Sequence, residues 1–116
     1  RLALEKVVLN GTGKDAKLDG YRAAGKTGTA RKLKKKGKGY DDVNQNRRFF
    51  SFAGMVPVQN PQFVCIVTID EPTKFDDVTK FGGGATAGPS FKTVAEKTAH
   101  YLNIPRTEIP VALTSE

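Results

Sequence analysis

Tryptophan is absent, and histidine, cysteine and methionine occur once each among the 116 residues. One cysteine excludes an internal disulfide. One histidine and one cysteine fall short of the roughly four nitrogen or sulfur ligands of a structural zinc site. Half of the acids stand as adjacent pairs in loop-like stretches, Asp41-Asp42, Asp70-Glu71 and Asp76-Asp77. No metal or other cofactor is expected. No apolar run approaches the roughly 18 residues that would span a bilayer, and no charged-then-apolar leader is present. Any anchor or export signal is expected outside these residues. The chain opens on Arg1-Leu2-Ala3-Leu4-Glu5 without an initiator methionine, in what reads as the middle of a helix, and so reads as a segment of a longer protein.

Acidic charge is also scarce, 12 residues against 19 basic ones, for a net +7. The excess is local: Arg31, Lys32, Lys34, Lys35, Lys36 and Lys38 supply six of those charges, and without them the balance is +1. A run of this kind ending in Gly37-Lys38-Gly39 reads as a solvated hairpin tip, with contact to phosphate, acidic lipid or an acidic polymer as the functional alternative. Single-strand nucleic-acid binders set aromatics among their cations, and none precedes Tyr40, which tells against a nucleic-acid partner.

What is present fits one small domain with one modest core. Residues 1–9 read as the last turns of an amphipathic helix that Asn10-Gly11 ends. Residues 21–33 read as extended, with Gly25 and Gly28 marking places where a ligand or another backbone comes close. Residues 49–56 and 63–69 are rich in aromatic and β-branched side chains and flank the turn signal Pro57-Val58-Gln59-Asn60-Pro61, which predicts a hairpin. The second run is apolar on both alternating faces, so it is expected to be an interior strand covered on both sides. Cys65, within it, reads as a small buried hydrophobe.

Phe91, Val94, Ala95, Thr98, Tyr101 and Leu102 fall on one helical stripe, started by Pro89-Ser90 and stopped by Asn103-Ile104-Pro105. His100 lies beside that stripe, where a cation suits the helix C-terminus. Gly82-Gly83-Gly84 lacks the ending of a phosphate loop and reads as a flexible turn. The order helix, three-stranded meander, helix is an α+β fold with an antiparallel sheet.

Chemistry concentrates in Gly20-Tyr21-Arg22-Ala23-Ala24-Gly25-Lys26-Thr27-Gly28-Thr29-Ala30. A strand there presents a cation (Lys26), two hydroxyls (Thr27 and Thr29) and a residue without a side chain (Gly28). Lys26 and Gly28 point to one face and Thr27 and Thr29 to the other, unless the strand twists locally. Such an edge can pair with a peptide backbone, bind its terminal carboxylate and bring N–H groups up to a reacting carbonyl.

This stretch resembles the third signature motif of penicillin-binding proteins and serine β-lactamases, a Lys-Thr-Gly that accompanies Ser-x-x-Lys and Ser-Asp-Asn. The likeness continues through Gly11-Thr12-Gly13, Ser51-Phe52-Ala53-Gly54 with its Pro57 turn, Ile69-Asp70-Glu71-Pro72, and Gly82-Gly83 before Pro89-x-Phe91. Together these are similar to the class B transpeptidases of cell division and elongation. The resemblance covers residues 1–105 as the C-terminal portion of a transpeptidase domain. It leaves 106–116 as a tail expected to be loosely ordered.

It implies peptidoglycan cross-linking through a serine acyl-enzyme, acylation of the same serine by β-lactams, and a parent anchored in the bacterial cytoplasmic membrane with this domain in the periplasm or at the outer face. By position, Lys26 would supply charge near the substrate carboxylate, Thr27 and Thr29 would hydrogen-bond it, the Thr29 N–H would be one arm of the oxyanion hole, and Gly28 would leave room for the acyl group. The implied partners are stem peptides, β-lactams and the remainder of the same domain, with self-association through an exposed strand edge as an alternative. No Ser-x-x-Lys and no Ser-x-Asn occurs in this sequence, so the chain is expected to be inactive by itself. A serine β-lactamase or D-alanine carboxypeptidase fragment, or a non-catalytic cell-wall or nucleic-acid binding module, are the other readings.

Overall fold

The computed structural model of the protein describes residues 1–41, 47–72 and 83–107. A run rich in aromatic and apolar residues with alternating burial forms the middle strand, β2 (Arg48–Val56): Phe50, Phe52, Gly54 and Val56 are buried, while Phe49, Ser51, Ala53 and Met55 face the other way and are more exposed. It lies between β1 (Ala24–Arg31) and β3 (Phe63–Asp70), antiparallel to both, in the order β1-β2-β3. The register sets Thr27 opposite Phe52 and Gly28 opposite Ser51 on one side, and Phe52 opposite Val67 on the other. The β2–β3 turn contains a cis Val56–Pro57 bond and is tied to the approach of β1 by a hydrogen bond from Val58 N to Arg22 O of 2.9 Å.

Three α-helices, one of them a single turn, pack around this sheet. Helix α1 (Leu2–Asn10) ends at Gly11, whose N–H donates to Val7 O at 3.1 Å, and a 3-10 turn follows at Lys14–Ala16. Helix α1 is fixed to the lead-in of β1 by a fork of two hydrogen bonds, Arg22 Nε to Glu5 Oε2 and Arg22 Nη2 to Glu5 Oε1, each 2.8 Å. A short helix α2 (Gly83–Thr86) leads into α3 (Gly88–Tyr101), which carries Pro89 in its first turn. Phe91 of α3 meets Phe52 of β2 with ring centroids 4.7 Å apart and planes at 55°, a tilted pair at the centre of the core. Val8, Leu18, Tyr21, Val56, Ala87, Ala95 and Ala99 close around it.

Several expectations change in detail. The face of α3 that is buried runs through Gly88, Phe91, Ala95 and Ala99, while Val94, Tyr101 and Leu102 are exposed. The small residues Gly88, Ala95 and Ala99 on this stripe let the helix axis approach the 3-10 turn and the sheet, and that close approach outweighs the larger side chains in setting the helix rotation. Strand β3 is an edge strand covered on one face only: Phe63, Cys65, Val67 and Ile69 pack partly buried against the core, whereas Val64 and Ile66 are 68% and 67% exposed. No described residue supplies the expected second cover. Cys65 is accordingly half-buried, and that burial pushes its thiol pKa up.

Gly83 and Gly84 form a helical turn and not a loose one, because Gly84 sits directly on the Thr12 carbonyl, where a side chain would collide. The extended segment is shorter than its sequence span, running from Ala24 to Arg31. His100 is exposed. Asp42, the Asp76-Asp77 pair, Gly82 and the tail beyond Thr107 lie outside the described residues. The first tail residues are held by contact with Gly20: Thr107 N donates to Gly20 O at 2.9 Å, and the Arg106 side chain covers that glycine.

A candidate carboxylate-binding strand edge

Among the described residues strand β1 has β2 on one side and no strand on the other, so its outer edge offers backbone groups to a ligand. Its two interior glycines serve different ends. A Cβ on Gly25 would meet Ala53 O and the Phe52 ring at 2.6 Å, so this glycine admits close packing inside the fold. A Cβ on Gly28 would meet only Ser51 Cβ, at 3.7 Å, so the fold leaves the space above it free.

The alternation of β1 directs Lys26 and Thr27 to opposite faces, yet their functional groups converge. The Lys26 ammonium wraps around the strand and donates to Thr27 O at 3.2 Å and to Thr27 Oγ1 at 3.3 Å. On its other side the Thr27 hydroxyl lies 3.4 Å from the hydroxyl of Thr12. One ammonium and two hydroxyls thus gather on one exposed spot, a donor set suited to a carboxylate. Thr29 follows two residues later, exposed and on the same sheet face as Thr27, and makes no hydrogen bond to this cluster among the described residues.

Of the four residues singled out from sequence, Lys26 and Thr27 are brought together, Gly28 borders open space, and Thr29 stands along the same edge. Thr12 is the member that residue chemistry did not reveal. Its position depends on tertiary packing: Gly13 lies under the Phe52 ring, where a Cβ would come within 2.8 Å, and Gly84 presses on the Thr12 carbonyl. In the sequence Thr12 stands out only within the Gly11-Thr12-Gly13 segment of the family resemblance, without a role assigned to it.

Charges around the site are organised at the far end of β1. Arg31 stacks on the Tyr40 ring at 4.4 Å, and Lys32 lies 4.6 Å from the Phe49 ring while bridging Asp70 and Glu71. The hydrogen bond to Asp70 raises the pKa of Lys32 above its ordinary value. Arg47 joins the same knot through Asp41 at 2.9 Å and Glu71 at 3.1 Å. A separate groove of about 310 Å³ lies near the β2–β3 turn, lined by Pro57, Gln62, Asn103 and Ile104 among others, without a charged side chain. Among the described residues no group of three or more His, Cys, Asp or Glu could hold a metal ion.

This antiparallel sheet with its flanking helices has the fold of a transpeptidase domain, and the relatives agree. The family described as penicillin binding protein transpeptidase domain matches residues 1–96, and the chain belongs to that family. It is 39% identical over 102 residues, 88% of the chain, to a peptidoglycan D,D-transpeptidase FtsI homolog of Mesostigma viride. It is 42% identical over 94 residues, 81% of the chain, to the peptidoglycan D,D-transpeptidase FtsI of Buchnera aphidicola.

Among solved structures, the apo transpeptidase domain of Burkholderia pseudomallei penicillin-binding protein 3 overlays 93% of the chain with a TM-score of 0.76 at 38% identity. Penicillin-binding protein 3 of Mycobacterium tuberculosis complexed with ampicillin overlays 92% with a TM-score of 0.72 at 30% identity. The chain spans 15 to 16% of the length of those two sequence relatives and 24 to 30% of the two solved chains. Its antiparallel sheet with flanking helices is therefore part of the penicillin-binding protein transpeptidase fold.

Proposed function

We propose that this chain is the C-terminal, Lys-Thr-Gly-bearing portion of a peptidoglycan D,D-transpeptidase, in which residues 1–105 complete the substrate cleft. The observation that carries this reading is the meeting of the Lys26 ammonium with the Thr27 and Thr12 hydroxyls on the unpaired edge of β1. A stem peptide lies along that edge with its terminal carboxylate on Lys26, Thr27 and Thr29. A serine supplied from outside these 116 residues attacks the penultimate D-alanine carbonyl. The Thr29 N–H is one donor to the oxyanion that forms, and Gly28 leaves room for the acyl group. Terminal D-alanine departs, and the acyl-enzyme passes to an amine of a second strand.

A β-lactam presents the same carboxylate and carbonyl and acylates the same serine. The crystal structure of the Mycobacterium tuberculosis relative with ampicillin supports this part of the reading. The parent is anchored in the bacterial cytoplasmic membrane, with this domain at the outer face. Residues 106–116 are a C-terminal tail.

The test is acylation of the intact protein by a fluorescent penicillin, with and without Lys26→Ala. Removing one preorganised electrostatic contact is expected to slow acylation by about 10²- to 10³-fold while the protein stays folded. Acylation of the variant at the parent's rate would refute the assignment of Lys26.

A further inference from the structure

Strand β1 is closed at one end and open at the other. Ala23, Ala24 and Gly25 are buried, whereas Thr29, Ala30 and Arg31 are exposed. A ligand that seats a carboxylate on Lys26 and Thr27 and lies along the outer edge can therefore extend only toward Arg31. Past Arg31 the chain does not return to the sheet at once. It runs out as a hairpin closed by the Leu33–Tyr40 bridge, with Lys34 N to Gly39 O at 2.9 Å and Asp41 N to Lys32 O at 2.8 Å. Gly37 and Gly39 supply the positive φ of its tip, 89° and 91°.

Charge along this hairpin is divided. Its base is compensated: Lys32 engages Asp70 and Glu71, and Arg47 engages Asp41 and Glu71. Its tip is not. Lys34, Lys35, Lys36 and Lys38 are exposed and form no ion pair among the described residues, where Asp41, Asp70 and Glu71 are already engaged at the base. At about 3.3 Å per extended residue, Lys34 stands roughly 23 Å along the chain from Thr27, within reach of an extended strand of about seven residues.

We infer that the lysine tip, residues 34–38, selects substrate strands that carry further carboxylates upstream of the one seated at Lys26. This rests on the transpeptidase reading above and names the substrate class that the same edge prefers. Four uncompensated cations at the open end of the edge raise the local concentration of an acidic strand and fix its direction, and they do nothing for a ligand too short to reach them.

The experiment uses the full-length protein and two synthetic seven-residue peptides ending in D-alanyl-D-alanine. One carries glutamates and the other glutamines at its three N-terminal positions. kcat/KM for D-alanine release is measured in the parent and in the Lys34→Ser, Lys35→Ser, Lys36→Ser, Lys38→Ser variant, which leaves the compensated base of the hairpin intact. The parent is expected to favour the glutamate peptide by roughly tenfold at low salt, and the variant to lose that preference. Salt at about 0.5 M should remove it from the parent as well. Fluorescent-penicillin acylation, whose ligand is too short to reach the tip, should be equal in both proteins. A second variant with glutamate at all four positions, Lys34→Glu, Lys35→Glu, Lys36→Glu and Lys38→Glu, should favour the glutamine peptide.

Equal kcat/KM for the two peptides in a parent that labels with penicillin would overturn the selectivity alone. A preference that survives in the serine variant would do the same, as would loss only of binding to anionic phospholipid vesicles. A parent that neither labels nor turns over either peptide would overturn the transpeptidase reading, and the selectivity with it.

Discussion

A methyl group added at Gly54 would meet the Phe91 ring at 2.5 Å, and one added at Gly28 would meet only Ser51 Cβ at 3.7 Å. Gly54→Ala should therefore destabilise the protein by about 1–3 kcal/mol through overpacking. Gly28→Ala should leave stability within about 0.5 kcal/mol. The second substitution fills the space we assign to the acyl group, so it should slow penicillin acylation by about 10²-fold, the scale of a modest misplacement at a reacting centre. Urea midpoints and acylation rates measured on both variants should show opposite rankings; a stable Gly54→Ala or a fully reactive Gly28→Ala would break the scheme. Lys26 and Thr27, which the structure brings together, could be singled out in the sequence because their chemistry is carried by the side chains themselves, whereas Thr29 makes no hydrogen bond to them among the described residues. Thr12 could not be singled out in that way, since its place beside Thr27 depends on how Gly13 and Gly84 pack.

Among the elements, α1 is joined to the lead-in of β1 by the forked Glu5–Arg22 pair. The hydrogen bond from Arg22 holds the Glu5 carboxyl below its ordinary pKa, against the opposing effect of burial. A lowered folded-state value means that the pair stabilises the protein above the unfolded carboxylate pKa. The contribution is lost as pH falls below the ordinary carboxylate range and through the lowered folded-state value. Denaturation midpoints of the parent should thus fall on acidification, and Glu5→Gln should be less stable at neutral pH by about 1–3 kcal/mol with a shallower acid limb. A parallel acid limb in the variant would contradict this. The lysine hairpin should behave in the opposite way: serine at its four tip lysines should change stability by no more than about 0.5 kcal/mol, since the tip is exposed and its base is held elsewhere. The sequence marked both ends of α3 closely but misplaced its rotation. Apolar bulk suggested Val94, Tyr101 and Leu102, whereas the sheet accepts the small residues Gly88, Ala95 and Ala99 around Phe91.

At the scale of the whole molecule, the open face of β3, with Val64 and Ile66 exposed beside a strand edge that is unpaired among the described residues, is a sign that this sheet is built to continue. Both apolar faces of β3 were readable from its alternation; what covers the outer one was not, because no described residue does so. The purified 116-residue chain should self-associate through β3 or bind the remainder of its own domain, and alone it should form no covalent adduct with a labelled penicillin. Sedimentation velocity and gel fluorescence check the two claims, and a stable monomer or a covalent adduct would each remove one of them. The Lys-rich excursion after β1 has a practical consequence at this scale. Because Leu33 pairs with Tyr40 and Asp41 N bonds Lys32 O, the loop leaves and rejoins the body at nearly one point. Foreign sequence or a dye spliced between Lys36 and Lys38 would ride outside the sheet yet stay on the same ribbon as Lys26, a natural mount for an optical reporter of cleft occupancy.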